Sequence, residues 1–135
     1  MKDVEHINPD SLHSSPAFSH AVRVPAGSDI VYVGGQNGTD SDGNVVGPGV
    51  GEQTRQAVEN LGACLQAADA TLADVVKWTV LCVEGVDMQE GFAASADVLS
   101  HGAEPPAITV AIVSGLAVPG ALVEIEAVAV VPAAE

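Results

Sequence analysis

Apolar residues recur along this chain at two spacings. Val58, Leu61, Leu65 and Ala68 fall three and four apart, which predicts a helix from about 50–53 to 68. Gln53, Gln56, Glu59 and Asn60 lie mostly away from its apolar face. Asp87 is a suitable N-cap for a second amphipathic helix carrying Met88, Phe92, Ala96 and Leu99 and ending near His101-Gly102. Elsewhere short β-branched runs predict strands. Residues 21–24 and 30–33, joined by the turn residues Pro25-Ala26-Gly27-Ser28, suggest a hairpin. Residues 75–83 form a run of nine apolar or β-branched positions broken only by Lys77, and 109–113 and 122–131 close the chain as two more strands. Between the second strand and the first helix, residues 34–51 hold seven glycines, with Asp42-Gly43 as a tight turn. Pro105-Pro106 imposes extended backbone before the next strand.

The resulting order is ββαβαββ, an α+β arrangement in which two helices cover one face of a mixed or mainly antiparallel sheet. The last strand is apolar on both faces except at Glu124 and Glu126, so the uncovered face calls for a partner; a homo-oligomer supplies one. At 135 residues the whole chain, 1–135, is expected to form one domain.

Composition narrows the partners. Four basic residues against 18 acidic ones give a net charge of −14, and Lys2, Arg23, Arg55 and Lys77 are scattered. Nucleic-acid and anionic-membrane surfaces are bound by clustered Lys and Arg, so neither is an expected partner. No apolar stretch approaches the roughly 20 residues that span a bilayer. The first residues, Met1-Lys2-Asp3-Val4-Glu5-His6, carry no secretory apolar run, which points to the cytoplasm. Cys64 and Cys82 form no CxxC and read as buried free thiols. His6, His13, His20 and His101 show no metal-ligand spacing, so no metal is expected. The glycine-rich segment lacks both the Gly-Lys-Ser/Thr of a phosphate loop and the dinucleotide GxGxxG. Arg55 suits an ion pair better than a catalytic role. Glu124 and Glu126, two apart in a strand, point to the same side about 7 Å from each other, either solvated or functional.

Several segments together resemble the Rid (YjgF-type) family of reactive-intermediate deaminases. Ser15-Pro16-Ala17-Phe18-Ser19-His20-Ala21-Val22 looks like the family's GPYSQAV motif, and Val33-Gly34-Gly35-Gln36 like its SGQ turn. Gln53-Thr54-Arg55-Gln56-Ala57-Val58-Glu59-Asn60-Leu61 is similar to its first-helix signature, and Asp74-Val75-Val76-Lys77 to the opening of its central strand. Pro105-Pro106-Ala107-Ile108-Thr109 sits where the family has a PARS-type motif, and Glu124-Ile125-Glu126-Ala127-Val128-Ala129 resembles its terminal EIEAIA strand. The resemblance implies a chorismate-mutase-like subunit, a homotrimer, and small-molecule pockets between subunits. It also implies cofactor-free addition of water to the C=N bond of 2-imino acids, with an arginine holding the carboxylate and a glutamate handling water and protons.

This chain departs from that pattern at most pocket positions. Ile108 stands in the arginine's place, Val110 at the cysteine, Phe18 at the tyrosine, Gly34 at the serine, and Gly91 or Phe92 at the second-helix asparagine; Glu124 is retained. Arginine binds a carboxylate through a rigid, permanently charged fork that isoleucine cannot replace. An apolar stripe of Ile108, Val110 and Ile112 facing the pocket, under a net charge of −14, would disfavour an anionic guest. Two readings follow. In one, Glu124 is catalytic in a hydrolase or deaminase for a neutral or cationic imine or enamine, with Phe18, Gly34, Ile108 and Val110 shaping the substrate site. In the other, the same pocket binds a small apolar molecule without turnover.

Overall fold

The computed structural model describes residues 3–99 and 104–133. Its elements are β1 (Glu5–Ile7), β2 (Ala21–Arg23), β3 (Asp29–Gln36), α1 (Val50–Ala67), β4 (Val75–Val83), α2 (Met88–Leu99), β5 (Ala107–Val113) and β6 (Val123–Val131), with a 3₁₀ turn at Leu72–Asp74. Four strands form a sheet in the order β3-β6-β4-β5. β6 runs antiparallel to β3 and β4, and β5 runs parallel to β4. The chain therefore makes two β-α-β crossovers, β3-α1-β4 and β4-α2-β5, both stepping the same way across the sheet. Such crossovers are almost always right-handed, which puts both helices on one face, as the sequence pattern predicts.

The hairpin expected between 21–24 and 30–33 does not form. β2 pairs instead with β1, Glu5 opposite Arg23 and Ile7 opposite Ala21, in a separate two-stranded sheet. β3 takes β6 as its partner, which lets Val33 bury in the core beside Ala127, with Val31 packed against it. An isolated hairpin buries far less and is marginal in water. Three residues are too few for β1 to show a pattern of its own. The predicted end of the second helix, His101-Gly102, lies outside the described residues; its start is capped as expected, Asp87 Oδ1 accepting from the N–H groups of Gln89 at 3.0 Å and Glu90 at 3.3 Å.

The core lies between α1 and the sheet. Ala57, Val58, Leu61 and Leu65 pack over Val33, Val123, Ile125, Ala127 and Ala129. One polar residue joins them. Gln53, expected away from the apolar face, is 0% exposed. Its amide Nε2 donates to Gly47 O at 2.7 Å and Gly120 O at 3.2 Å, and its Oε1 accepts from Leu122 N at 2.8 Å. It satisfies backbone that neither the loop before α1 nor the turn before β6 can pair for itself. Gly38 runs so close to this point that a Cβ there would meet the Gln53 backbone at 2.5 Å, so only glycine fits. Cys64 departs from expectation by lying exposed on α1; Cys82 is buried.

Gln53→Leu keeps the bulk but strands three part-buried backbone groups. We expect it to lower stability by about 3 kcal/mol, read as a reduced urea midpoint at unchanged slope. A variant as stable as the parent would show that water replaces the amide.

Candidate functional site

Side chains alternate between the two faces of a strand, and the registers assign each candidate to one face. Trp78 pairs with Ile108 and Ala127, Val80 with Val110 and Ile125, and Cys82 with Ile112 and Val123; these share the helix-covered face. Leu81 pairs with Glu124 and Ala111, and Thr79 with Glu126 and Thr109, on the opposite, open face. Glu124 and Glu126 do lie together. The apolar stripe expected to share their pocket does not: within one chain, Ile108, Val110 and Ile112 are on the other side of the sheet. The family motifs could not show this, because parity depends on how β5 registers with β4.

Glu124 rests against a bulge in β3. The pairing passes from Val33 opposite Ala127 to Gln36 opposite Ile125, so Gly34 and Gly35 together face one β6 residue. Gly35 is open where a side chain would stand, and the Glu124 carboxylate fills that place: a Cβ on Gly35 would lie 2.3 Å from Oε2. Above Gly34 there is open space. Asn37 then fixes the other oxygen, its Nδ2 donating to Glu124 Oε1 at 3.3 Å and to Val123 O at 3.0 Å. Asn37 is held from below by α1. Asn60 Nδ2 donates to the carbonyls of Asn37 at 3.1 Å and Thr39 at 3.0 Å, and Gln56 Nε2 donates to Asn60 Oδ1 at 2.9 Å. A chain of amides thus runs from the helix to the carboxylate. The motif reading overlooked Asn37 and Asn60. The available signal was an asparagine in mid-helix, where it is a poor helix former unless a tertiary contact needs it.

The open face also carries a cation that the sequence reading gave no place in a site. Lys77 lies on it, its Nζ donating to Thr109 Oγ1 at 2.5 Å. Lys77 is four residues along β4 from Leu81, the partner of Glu124, a separation of about 13 Å at the strand rise. Arg23 lies in the small sheet, 3.6 Å from Glu5 Oε1.

The remaining candidates sit at the edge of the sheet. β5 is an edge strand, and along it Val110 is 37% and Ile112 62% exposed. Ile108 is half-buried at its start. The segment bearing Phe18 is docked there by Ser19, which is buried; Ser19 N donates to Pro106 O at 3.0 Å and its hydroxyl to Pro105 O at 2.5 Å. His6 Nδ1 lies 3.0 Å from both Ser19 Oγ and Pro105 O. Phe18 packs edge-on against His13 at 5.9 Å and His20 at 5.3 Å between ring centres. Among the described residues, no three His, Cys, Asp or Glu side chains converge as a metal site.

A two-helix mixed sheet of this kind is found in known proteins. The family model described as Endoribonuclease L-PSP matches residues 9–131, and the chain belongs to this family, the Rid (YjgF-type) proteins. It is 38% identical over 115 residues to a goat protein named 2-iminobutanoate/2-iminopropanoate deaminase, covering 84% of this chain and 79% of that one. A RutC family protein of Pyrococcus abyssi is 36% identical, covering 83% and 84%. The match to the rat 2-iminobutanoate/2-iminopropanoate deaminase is 45% identical but spans only about half of each, 50% of this chain and 48% of the rat protein. Among solved structures, a Rid-family protein of unknown function from Yersinia pestis superposes with a TM-score of 0.83 at 33% identity, covering 96% of this chain and all of that one. The YjgF product of Escherichia coli gives 0.67 at 31% identity, covering 79% and 84%.

Gly35→Ala tests the cradle. The clash falls on the movable end of Glu124, so the carboxylate should swing away at a stability cost below about 1 kcal/mol. Gly34→Ala, entering open space, should leave it in place. Chemical shifts of the Glu124 side chain in the two variants distinguish these outcomes.

Proposed function

We propose that this chain is a Rid-family hydrolase or deaminase whose substrate is a neutral or cationic imine or enamine rather than a 2-imino acid. Water adds to the imine carbon and the C–N bond breaks, giving a carbonyl compound and ammonia or an amine. Glu124 takes the proton from water and passes it to the departing nitrogen, a role that suits a carboxylate held at one oxygen by Asn37. The observation that carries the reading is the residue at the family's arginine position: Ile108 stands there and cannot hold a carboxylate, while the Lys77 ammonium is bonded to Thr109. The deaminases among the relatives support the reaction type.

The site needs two subunits. Glu124 and Gly34 belong to the open face, and Ile108 and Val110 to the other face at the β5 edge. Only a second copy can bring the two halves together, which supports a homotrimer with clefts between subunits. The exposed apolar edge of β5 is the kind of surface such an association covers. The scarcity of basic residues argues against RNA as substrate, despite the ribonuclease in the family model's description. A non-catalytic trimer binding a small apolar molecule is the second reading, favoured by the loss of polar groups at Gly34, Ile108 and Val110.

Glu124→Gln should abolish hydrolysis of a neutral aldimine, followed at its C=N absorbance, with thermal midpoint and native mass unchanged. A midpoint that falls, with no wild-type turnover of any aldimine, would establish the non-catalytic reading. Mixing Glu124→Gln with Ile108→Asp, each inactive alone, should restore up to about a quarter of wild-type activity through random pairing; no recovery would place the whole site in one subunit.

Ile108→Arg should raise turnover of 2-iminopropanoate generated in situ by about tenfold or more, the scale of one charge-assisted bidentate contact. A parent protein already fast on that substrate would overturn the substrate class.

A further inference from the structure

A side-chain amide donates from its nitrogen and accepts at its oxygen, so a run of amides has a direction. In the run that ends at Glu124 every step points the same way. Gln56 Nε2 donates to Asn60 Oδ1 at 2.9 Å, and Asn60 Nδ2 gives its two hydrogens to the carbonyls of Asn37 at 3.1 Å and Thr39 at 3.0 Å. Asn37 Nδ2 gives both of its own, to Val123 O at 3.0 Å and to Glu124 Oε1 at 3.3 Å. Turning over the Asn60 amide would set its oxygen against two carbonyls. Turning over that of Asn37 would set oxygen against Val123 O and the carboxylate. The network therefore has one orientation. It starts from two residues four apart on α1, a helix whose apolar face is fixed in the core.

This polarity makes the two oxygens of Glu124 unlike. Oε1 receives a hydrogen from Asn37, so it is an acceptor in both the charged and the neutral carboxyl, and the proton of the neutral acid goes on Oε2. That oxygen fills the place of the missing Gly35 side chain, next to the open space above Gly34. We infer that Asn60 is a positioning residue for Glu124, acting through Asn37, and that the amide run confines proton transfer to Oε2. The chemical consequence rests on the hydrolysis proposed above. As the oxygen of water bonds the imine carbon, the π pair of C=N moves to nitrogen and a proton of water moves to Oε2. The same oxygen then returns that proton to nitrogen before the C–N bond breaks. Both partners of the transfer must lie within reach of one oxygen above the Gly34–Gly35 bulge. A carboxylate free to rotate would not hold that arrangement, and misplacing a reacting group by about 1 Å can cost about a hundredfold in rate.

Asn60→Leu removes both donors at similar bulk. On a neutral aldimine it should lower kcat by about tenfold or more while KM changes by less than about threefold, the split expected when a reacting group loses its place. The carbon-13 resonance of Glu124 Cδ should move in Asn60→Leu, and in the same direction in Asn37→Leu. Gln56→Met leaves the donors of Asn60 in place; it should shift that resonance less and lower kcat by about threefold. Glu59→Gln, an exposed neighbour on α1, should change neither. A role in stability alone would lower the thermal midpoint and leave both the resonance and kcat per folded molecule unmoved. The inference is overturned if the Glu124 resonance stays in place in folded Asn60→Leu, or if that variant loses activity only through KM. Should Asn60→Leu not fold, an unmoved resonance in Gln56→Met overturns it instead. A parent that turns over no aldimine would defeat the hydrolase reading, while the resonance would still decide whether Asn60 positions Glu124.

Discussion

Each strand of this sheet deals its side chains to two faces in turn, and the register of β4 with its neighbours decides which residue meets which surroundings. On the covered face fall Trp78, Val80, Cys82, Val123, Ile125 and Ile108; on the open face fall Glu124, Glu126, Lys77 and Thr79. A slip of one residue would bury the carboxylates and expose the core, so the alternation is enforced by the hydrophobic effect along the whole sheet. The same alternation keeps Glu124 away from Ile108 within one chain.

A run of amides holds Glu124 in place. Gln56, Asn60 and Asn37 pass from α1 through the loop after β3 to the carboxylate, while Gln53 anchors the loops on either side. Neutral hydrogen bonds of this kind each contribute about 1 kcal/mol net, but losing one buried partner costs more. They fix geometry without adding a cation. A carboxylate positioned in this way can move protons.

The second helix illustrates how close packing in one place opens space in another. Glycine and alanine let α2 approach α1, and the large side chains that would have reached the sheet are few in a chain with 3% aromatics. A chamber of about 570 Å³ beneath α2 is the consequence. Its lining is apolar for the same reason the core is: a valine-, alanine- and leucine-rich sequence has little else to place there.

Periodicity in the sequence was enough to locate both helices, β4 to the residue, and, to within two residues, the strands at 107–113 and 123–131, because each is long or strongly apolar. The motifs singled out Glu124 and the glycines beside it. The three-residue strand β1, the partner of β2, the burial of Gln53 and the roles of Asn37 and Asn60 were not legible, since each depends on groups between 13 and 87 positions away. Local composition thus determined which segments fold and how acidic their surface is, through propensity and burial that each segment carries by itself. Only the tertiary structure decided which carboxylate meets which amide, and that Ile108 and Glu124 lie on opposite faces, because strand register is set by pairing between distant segments.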